Sequence, residues 1–292
     1  MLRKSIFLVF AIFLFTSCSI QENKKLKIAT TPWIGYTPLL YAQEKGWLEP
    51  LNIKLLNVVS LSESMYLFKG NSADVYMGTQ YEYNFLAQKI ESLIPIMLMN
   101  KSNGGDVVMG NFSIEEFQNI NEEIDVYLEM DSINSILFET FIEKYNLKEK
   151  RINYINKDQA YIAELKNRDK PTIIVTYVPY NKILEKSGFK LLDSTKDNYD
   201  LLVIDGMITT KETLNQNKKT FIKLKDLINK AIENLENDPK EYYETVKDYL
   251  LDTNYEEFSE SLDDIIWINK NIPEKIIENL SNHNFPTRDL IK

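Results

Sequence analysis

Short apolar segments alternate with segments of helical periodicity from Lys25 to about residue 210, and this alternation constrains the fold most strongly. Strands that alternate with helices of about ten residues form βαβ units, which predicts an α/β protein. After Lys211 amphipathic helices predominate. The predicted strands are 26–30, 53–58, 74–78, 92–99, 106–110, 124–130, 152–156, 172–177 and 199–210. The predicted helices are 37–46, 60–70, 79–90, 113–120, 131–147, 157–168 and 180–189.

The alternation is interrupted once, at the Gly104–Gly105 pair, and then starts again. A final strand through Asp205 precedes the helical tail. Because 292 residues exceed the usual size of one domain, we predict two α/β lobes with mainly parallel sheets and a central cleft. The chain is expected to cross between the lobes near Gly104–Gly105 and near Asp205. The predicted boundaries give 25–103 and 206–292 to lobe 1 and 104–205 to lobe 2.

The first residues have the features of a secretory signal. Arg3 and Lys4 precede an apolar run, Ser5–Phe15, that is too short to cross a bilayer comfortably. Cys18, the only cysteine, follows in the sequence F-T-S-C, where bacterial lipoproteins are cleaved and acylated. We expect residues 1–17 to be removed and residues 18–24 to form a tether with lipid on Cys18. A plain signal peptide with an incidental cysteine is the alternative.

Composition argues against several functional classes. The chain has 34 lysines and arginines against 43 aspartates and glutamates and no basic run, which argues against nucleic acid as a partner. A single cysteine excludes a disulfide framework. With His283 as the only histidine and no nucleophile paired with a base, we predict neither an enzyme nor a metal or cofactor site.

The loop after the first predicted strand carries two aromatic residues. Trp33 and Tyr36 flank Gly35, and Pro38 begins the following helix. In open parallel sheets ligands bind at the carboxyl ends of strands, which is where this loop lies. We therefore predict that Trp33 and Tyr36 form one wall of a ligand cleft. Packing in the core is the alternative for both rings.

Several polar side chains stand where predicted helices begin. Free N–H groups and the positive end of the helix dipole suit sulfonate, phosphonate or carboxylate oxygens. Ordinary capping is the alternative, and it accounts fully for Thr79 and Glu82, which have capping-box spacing. The candidates for ligand contact at these helix starts are Ser62, Glu63, Ser64, Thr79, Tyr81 and Ser132.

Polar residues also mark the two predicted crossings. Asn103 and Asp106 flank the glycine pair, and Asp205 lies at the second crossing. These side chains either reach a ligand from the hinge or serve as ordinary turn residues.

Four ordered motifs resemble one known family. They are T-P-W-I-G-Y-T-P-L at 31–39, S-L-S-E-S-M-Y-L-F-K-G-N-S-A-D at 60–74, S-N-G-G-D at 102–106 and T-Y-V-P-Y at 176–180. The order resembles substrate-binding proteins of ABC importers for nitrate, sulfonates, taurine and thiamine-precursor pyrimidines. Val178 stands where that family commonly has Glu, which weakens the expected recognition of a cationic ligand group; Asp205 either supplies a compensating carboxylate or serves as a hinge residue bonded to backbone. The resemblance implies a type II periplasmic binding protein fold that closes about a hinge, with Tyr177 and Tyr180 facing Trp33.

The resemblance also implies a function. We expect an extracytoplasmic, lipid-anchored, monomeric receptor that captures a small polar or anionic organic solute and delivers it to a permease driven by an ATPase. The expected solute classes are sulfonates, aminophosphonates and thiamine-precursor pyrimidines. A ligand-sensing or partner-binding lipoprotein with the same fold is the alternative. A pyrimidine-synthesis enzyme is disfavoured, because the cysteine-rich stretch and the histidines on which it depends are absent.

Overall fold

The structure is a computed structural model that describes residues 24–196 and 201–291. The expected signal peptide and Cys18 lie outside the described residues. Each predicted strand and helix named above is confirmed, with ends that differ by up to five residues. The first two residues of the strand predicted at 199–210 lie outside the described residues. The strands are β1 Leu26–Thr30, β2 Ile53–Asn57, β3 Val75–Thr79, β4 Leu93–Ser102, β5 Asp106–Gly110, β6 Ile124–Leu128, β7 Ile152–Asn156, β8 Thr172–Tyr177, β9 Lys190–Ser194, β10 Ile204–Thr210 and β11 Ile265–Trp267. The helices are α1 Thr37–Glu44, α2 Leu61–Lys69, α3 Gln80–Ala87, α4 Ile114–Asn119, α5 Ile133–Lys144, α6 Gln159–Ala163, α7 Tyr180–Lys186, α8 Lys211–Asn237, α9 Pro239–Val246, α10 Tyr255–Ser261 and α11 Glu274–Asn282.

The strands form two separate sheets. The first sheet has the order β11-β4-β10-β3-β1-β2, and the second has the order β7-β6-β8-β5-β9. Strand β1 runs parallel to β2 and β3, and β6 runs parallel to β7 and β8. The pairs β1–β2 and β6–β7 are βαβ units of the kind that the alternation predicts, and β3 and β8 pair on the other side of β1 and β6.

The prediction of mainly parallel sheets is wrong, because both sheets are mixed. Strand β10 runs antiparallel to β3 and β4, and β5 runs antiparallel to β8 and β9. Both β5 and β10 follow a crossing between the sheets, so neither enters its sheet through a crossover helix. Parallel pairing of consecutive strands requires such a helix, and the crossings do not supply one.

Two strands in the described chain were not predicted. Strand β9 has a half-exposed, polar pattern, and its Leu191 is 55% exposed. Strand β11 has only three residues. Neither segment carries the apolar run or the clean alternation by which a strand is identified from sequence.

The helical tail packs against the first sheet and its first helix. Tyr41 of α1 stacks on Tyr242 of α9, with ring centroids 4.4 Å apart and an angle of 6° between the planes. The Tyr242 hydroxyl donates to Oγ1 of Thr37 at 3.2 Å. Within the described ranges, no helix is long and apolar enough to cross a membrane.

The two crossings bring polar residues to the space between the sheets. Asp106 is the first residue of β5, and Asp205 is the second residue of β10, where it pairs with Thr79 and Asn100. Gly104 has φ +124°, a backbone conformation that favours glycine. We retain the lobe boundaries 103/104 and 205/206 as a proposal. The membership of β4 and β5 in different sheets supports the first, whereas β10 already belongs to the first sheet from Ile204 and favours a second crossing just before that residue.

Candidate ligand-binding cleft

A small cavity lies between the two sheets. Its volume is about 10 Å³, roughly the space that one water molecule requires. A larger solute therefore needs the two sheets to separate before it can enter. The cavity is lined by Trp33, Leu61, Thr79, Asp106, Tyr177 and Asp205.

Trp33 forms one wall of this cavity and is also packed in the hydrophobic core, at 3% exposure. Its ring meets Tyr177 of the second sheet edge to face, with centroids 5.9 Å apart. The indole Nε1–H donates to Oδ1 of Asn100 at 3.3 Å, and Nδ2 of Asn100 donates to the Gly35 carbonyl at 3.1 Å. Asn100 thus holds both the Trp33 ring and its loop in place. Trp33 can therefore be a wall of the cleft and a core residue at the same time.

Gly35 is required by the close approach of that asparagine. A Cβ atom at Gly35 would lie 2.1 Å from Nδ2 of Asn100 and 2.5 Å from Nε1 of Trp33. Both distances are far below any van der Waals contact. The glycine of the opening loop therefore allows the Trp33–Asn100 hydrogen bond to form.

Tyr36, predicted to share the cleft wall with Trp33, does not line this cavity and is fully buried. Its hydroxyl donates to Oδ1 of Asp205 at 2.5 Å. Burial raises the pKa of Asp205 well above its ordinary value, and the nearby charge of Asp106 raises it further. The second carboxyl oxygen, Oδ2 of Asp205, is buried and has no hydrogen-bond partner among the described residues.

Asp106 faces the same cavity from the second sheet and is 4% exposed. Burial raises its pKa to about 7. Its Oδ2 atom and the hydroxyl of Tyr177 are also buried and lack partners in the described part of the chain. Three buried polar groups of the cavity lining, one each from Asp106, Tyr177 and Asp205, are thus left to bind something other than these protein groups.

The start of helix α5, which the sequence marks as an anion site, is bound by a carboxylate of the protein itself. Glu82 accepts hydrogen bonds on Oε2 from the backbone N–H of Thr79 at 2.7 Å and from its hydroxyl at 2.6 Å. Its Oε1 accepts from the N–H of Ile133, the first residue of α5, at 2.9 Å. Ser132 caps the same helix by accepting from the N–H of Asn134 at 3.2 Å.

The three candidates at the start of helix α2 make hydrogen bonds to different parts of the protein. Ser62 donates to Oε2 of Glu129, a residue of the second lobe, at 3.3 Å. Ser64 is buried and donates to the carbonyls of Ala29 and Met77, which ties α2 to the first sheet. Glu63 is exposed and accepts from the N–H of Val59. Of these three, Ser62 alone reaches across the cleft.

The remaining candidates lie around the cavity without lining it. Tyr180 meets Tyr177 edge to face at 5.3 Å, and its hydroxyl donates to the Val59 carbonyl at 2.8 Å, between the lobes. The backbone N–H of Asn103 donates to the Asp264 carbonyl at 2.7 Å, in the helical tail. Tyr81 lines a separate cavity of about 300 Å³.

Four residues of the site are not predicted as ligand contacts from the sequence. They are Leu61, which lines the cavity, and the polar residues Glu82, for which only capping is predicted, Asn100 and Glu129. Glu129 directly follows β6, so the rule that ligands bind at the carboxyl ends of strands would have included it. Asn100 interrupts an apolar strand, which is the pattern of a buried polar residue with a specific partner.

The cleft region is acidic throughout. Glu82, Asp106, Glu129 and Asp205 are all buried, whereas no lysine, arginine or histidine is buried anywhere in residues 24–196 and 201–291. Burial raises the pKa of Glu129 to about 8. The described residues contain no group of three histidine, cysteine, aspartate or glutamate side chains that could hold a metal ion. The carboxyl groups therefore have no buried basic partner in the described part of the chain.

No protein-family model and no curated protein matches the sequence. Similar solved structures exist, and one is the ligand-binding component of an ABC-type import system from Staphylococcus aureus with zinc bound. It has a TM-score of 0.72 and 17% identity over 92% of this chain and 97% of its own. The periplasmic aliphatic sulphonate binding protein SsuA from Escherichia coli has a TM-score of 0.67 and 12% identity, covering 89% and 85%.

A Candida albicans gene product, described as having the generic periplasmic binding protein fold, is similar as well. Its TM-score is 0.66 at 14% identity, and the match covers 90% of this chain and 91% of that protein. At identities this low, the structural similarity shows the fold alone. The similarity extends over nearly the whole length of each protein. The expected fold class is confirmed.

Proposed function

We propose that this chain, which has the fold of periplasmic binding proteins, is the extracytoplasmic solute-binding component of an ABC importer. One observation carries the proposal: the cavity is closed by residues of both sheets, and several of its buried polar groups have no partner in the described protein. A protein that only needed a stable core would gain from pairing or replacing these groups.

The proposed mechanism is closure of the two lobes about the crossings at Gly104–Gly105 and Asp205. Trp33 and Thr79 approach the solute from the first sheet and Tyr177 from the second, so the solute completes the interface between the lobes. The closed complex then docks on a permease, and the ATPase lies on another chain. The solute is a small polar organic molecule of the sulfonate, aminophosphonate or thiamine-precursor pyrimidine class.

The protein is proposed to act as a monomer held at a membrane surface by lipid on Cys18. Changing Cys18→Ser should move the protein from the membrane fraction to the soluble fraction, because no second anchor is expected. Fractionation of cells that express each form measures this. Equal membrane association of both forms would contradict the lipid anchor.

A receptor function is favoured over catalysis. Similar structures are described as binding components, and the sequence has no paired nucleophile and base. The raised pKa values at Asp106 and Glu129 arise from burial, which a closed binding cleft produces without any catalytic step. This part of the proposal predicts that no bound solute is chemically changed.

Thermal shift and calorimetry on the purified full chain test the function. A solute at a hundred times its dissociation constant should stabilise the fold by about 2.7 kcal/mol. The expected result is a saturable rise in Tm for members of one of the three classes, with one solute bound per chain and the solute recovered unchanged. Failure of every class to bind would contradict the proposal.

A further inference from the structure

The cavity between the lobes is lined by acidic groups that have no basic partner among the described residues. Asp106 and Asp205 both line it, and each has one buried carboxyl oxygen without a hydrogen-bond partner among the described residues. Glu82 and Glu129 are buried nearby. Buried carboxylates without counter-charges are costly, and two facing one cavity raise that cost by repulsion.

N–H groups at the helix starts, where an anionic group of a solute would be expected to bind, already donate to side chains of the protein. The N–H of Ile133 at the start of α5 and that of Thr79 at the start of α3 both donate to Glu82. The N–H of Glu63 in the first turn of α2 donates to Ser60. Side chains of the protein therefore already accept from three of the N–H groups that otherwise attract sulfonate or phosphonate oxygens.

Resting on the proposed function, we propose that the solute carries a protonated amine, held between the carboxyl groups of Asp106 and Asp205 and against the rings of Trp33 and Tyr177. An ammonium group has three N–H donors and no acceptor. The cavity offers three unpartnered acceptor atoms, namely the two carboxyl oxygens and the Tyr177 hydroxyl oxygen. The three donors of an ammonium group therefore match the three acceptor atoms of the cavity in number and in polarity.

The aromatic walls suit the same group. A cation close to the face of a Trp or Tyr ring is attracted by the ring quadrupole, and this attraction increases when water is excluded. Trp33 is 3% exposed and Tyr177 is 1% exposed, so both rings are shielded from water when the lobes are closed. An amine that enters between them would neutralise the carboxyl pair and complete the contact between the sheets.

Matched pairs of solutes that differ only in an amine and a hydroxyl group test the inference. The probes are taurine with isethionate, aminoethylphosphonate with hydroxyethylphosphonate, aminomethylpyrimidine with hydroxymethylpyrimidine, and benzylamine with benzyl alcohol. Each is titrated into the full chain by calorimetry at neutral pH. We expect the tightest probe to be an amine that binds at least about tenfold more tightly than its hydroxyl partner.

Variants then assign the effect to the carboxyl pair. Asp106→Asn and Asp205→Asn keep the side-chain shape and remove the charge, so each should reduce the preference for the amine by about tenfold or more. Asp248→Asn, at an exposed position in the tail, is the matched control and should leave the preference unchanged. Circular dichroism verifies that each variant is folded. If one carboxyl variant does not fold, the other measures the same preference.

The outcomes separate the two proposals. Equal or tighter binding of the hydroxyl partners would overturn the amine inference while leaving the receptor function intact. A preference for amines that persists in both Asp106→Asn and Asp205→Asn would also overturn it. Absence of binding by all eight probes would contradict the proposed function and, with it, the inference.

Discussion

At the scale of single residues, two buried tyrosines give a direct measure of the Asp205 contact. Tyr36 donates to Asp205, whereas the hydroxyl of Tyr76 is equally buried and has no partner in the described chain. We expect Tyr36→Phe to lower the free energy of unfolding by about 1 to 3 kcal/mol, because it leaves a buried carboxyl group unpaired. Tyr76→Phe should be nearly neutral. Urea unfolding of both variants measures the difference, and equal losses would contradict it.

The raised pKa of Asp106 predicts that the stability of the fold depends on pH. Burial raises its pKa from 3.8 to about 7 in the folded protein, so the folded state holds its proton more tightly than the unfolded state does. The contribution of this pKa shift to the free energy of unfolding is complete below about pH 4. It is lost as the pH rises to about 7, by at most about 1.4 kcal/mol per pH unit. Glu129 acts in the same direction up to about pH 8.

Urea unfolding across this pH range, with wild type and Asp106→Asn, measures the effect. The wild type should lose stability as the pH rises, and the variant should lose less because Asn does not titrate. Groups outside the cleft titrate identically in both proteins and cancel in the comparison. Parallel curves for the two proteins would show that Asp106 does not hold a proton at neutral pH.

The sequence predicts where cleft residues lie but not which partners they have. Five of the six residues that line the cavity were candidates, because strand ends and crossings can be located from apolar periodicity. That they bind solute remains a prediction. The contact between Glu82 and Ile133 could not be foreseen, since it joins residues of two lobes whose relative placement no local pattern encodes.

At the scale of elements, the start of α5 depends on Glu82 of α3. Glu82 accepts on both carboxyl oxygens, whereas a glutamine has one acceptor oxygen. We expect Glu82→Gln to accelerate amide hydrogen exchange at Ile133 by about tenfold or more, as loss of about 1.4 kcal/mol would produce. Hydrogen exchange followed by NMR on the full chain measures the Ile133 amide directly.

Helix α4 provides the matched control for that experiment. Glu116 and Ser113 form the same kind of capping box as Glu82 and Thr79, but they are exposed and their two box hydrogen bonds stay within one helix. Glu116→Gln should therefore leave the exchange of the Ile133 amide unchanged. Similar acceleration in both variants would mean that the effect is a general loss of stability and not a contact between lobes.

The type of each element was predictable, and the direction of some strands was not. Helices α2, α3 and α4 begin at residues with capping spacing, and their apolar positions follow the helical period. The direction of β5 and β10 depends on where the chain re-enters a sheet after a crossing. This is a property of the assembled lobes, and the local sequence of either strand does not contain it.

At the scale of the whole molecule, Gly105 allows the lobes to approach each other. A Cβ atom there would lie 2.3 Å from Cη2 of Trp33. We expect Gly105→Val to hold the lobes apart, to increase the radius of gyration measured by X-ray scattering, and to weaken solute binding by about tenfold or more. Solute binding should be impaired more than folding, because the clash is with the Trp33 ring where the two sheets meet.

Gly70→Ala is the control for this substitution. The atom nearest to an added Cβ at Gly70 is the carbonyl oxygen of Tyr66 at 3.3 Å, on the same helix and away from the crossing. Scattering and affinity should remain those of the wild type. A Gly105→Val protein with unchanged radius and affinity would indicate that the Trp33 ring moves aside and that the glycine has no role in closure.

The small volume of the cavity has a consequence for the speed of capture. A closed cleft with room for one water molecule admits a solute only after the lobes part. The lobes must therefore open before any solute can bind. The observed association rate would then stop rising at high solute concentration and level off at the rate of opening. Different solutes would share that ceiling, since it belongs to the protein. Selectivity among them would be expressed in how long each one stays bound.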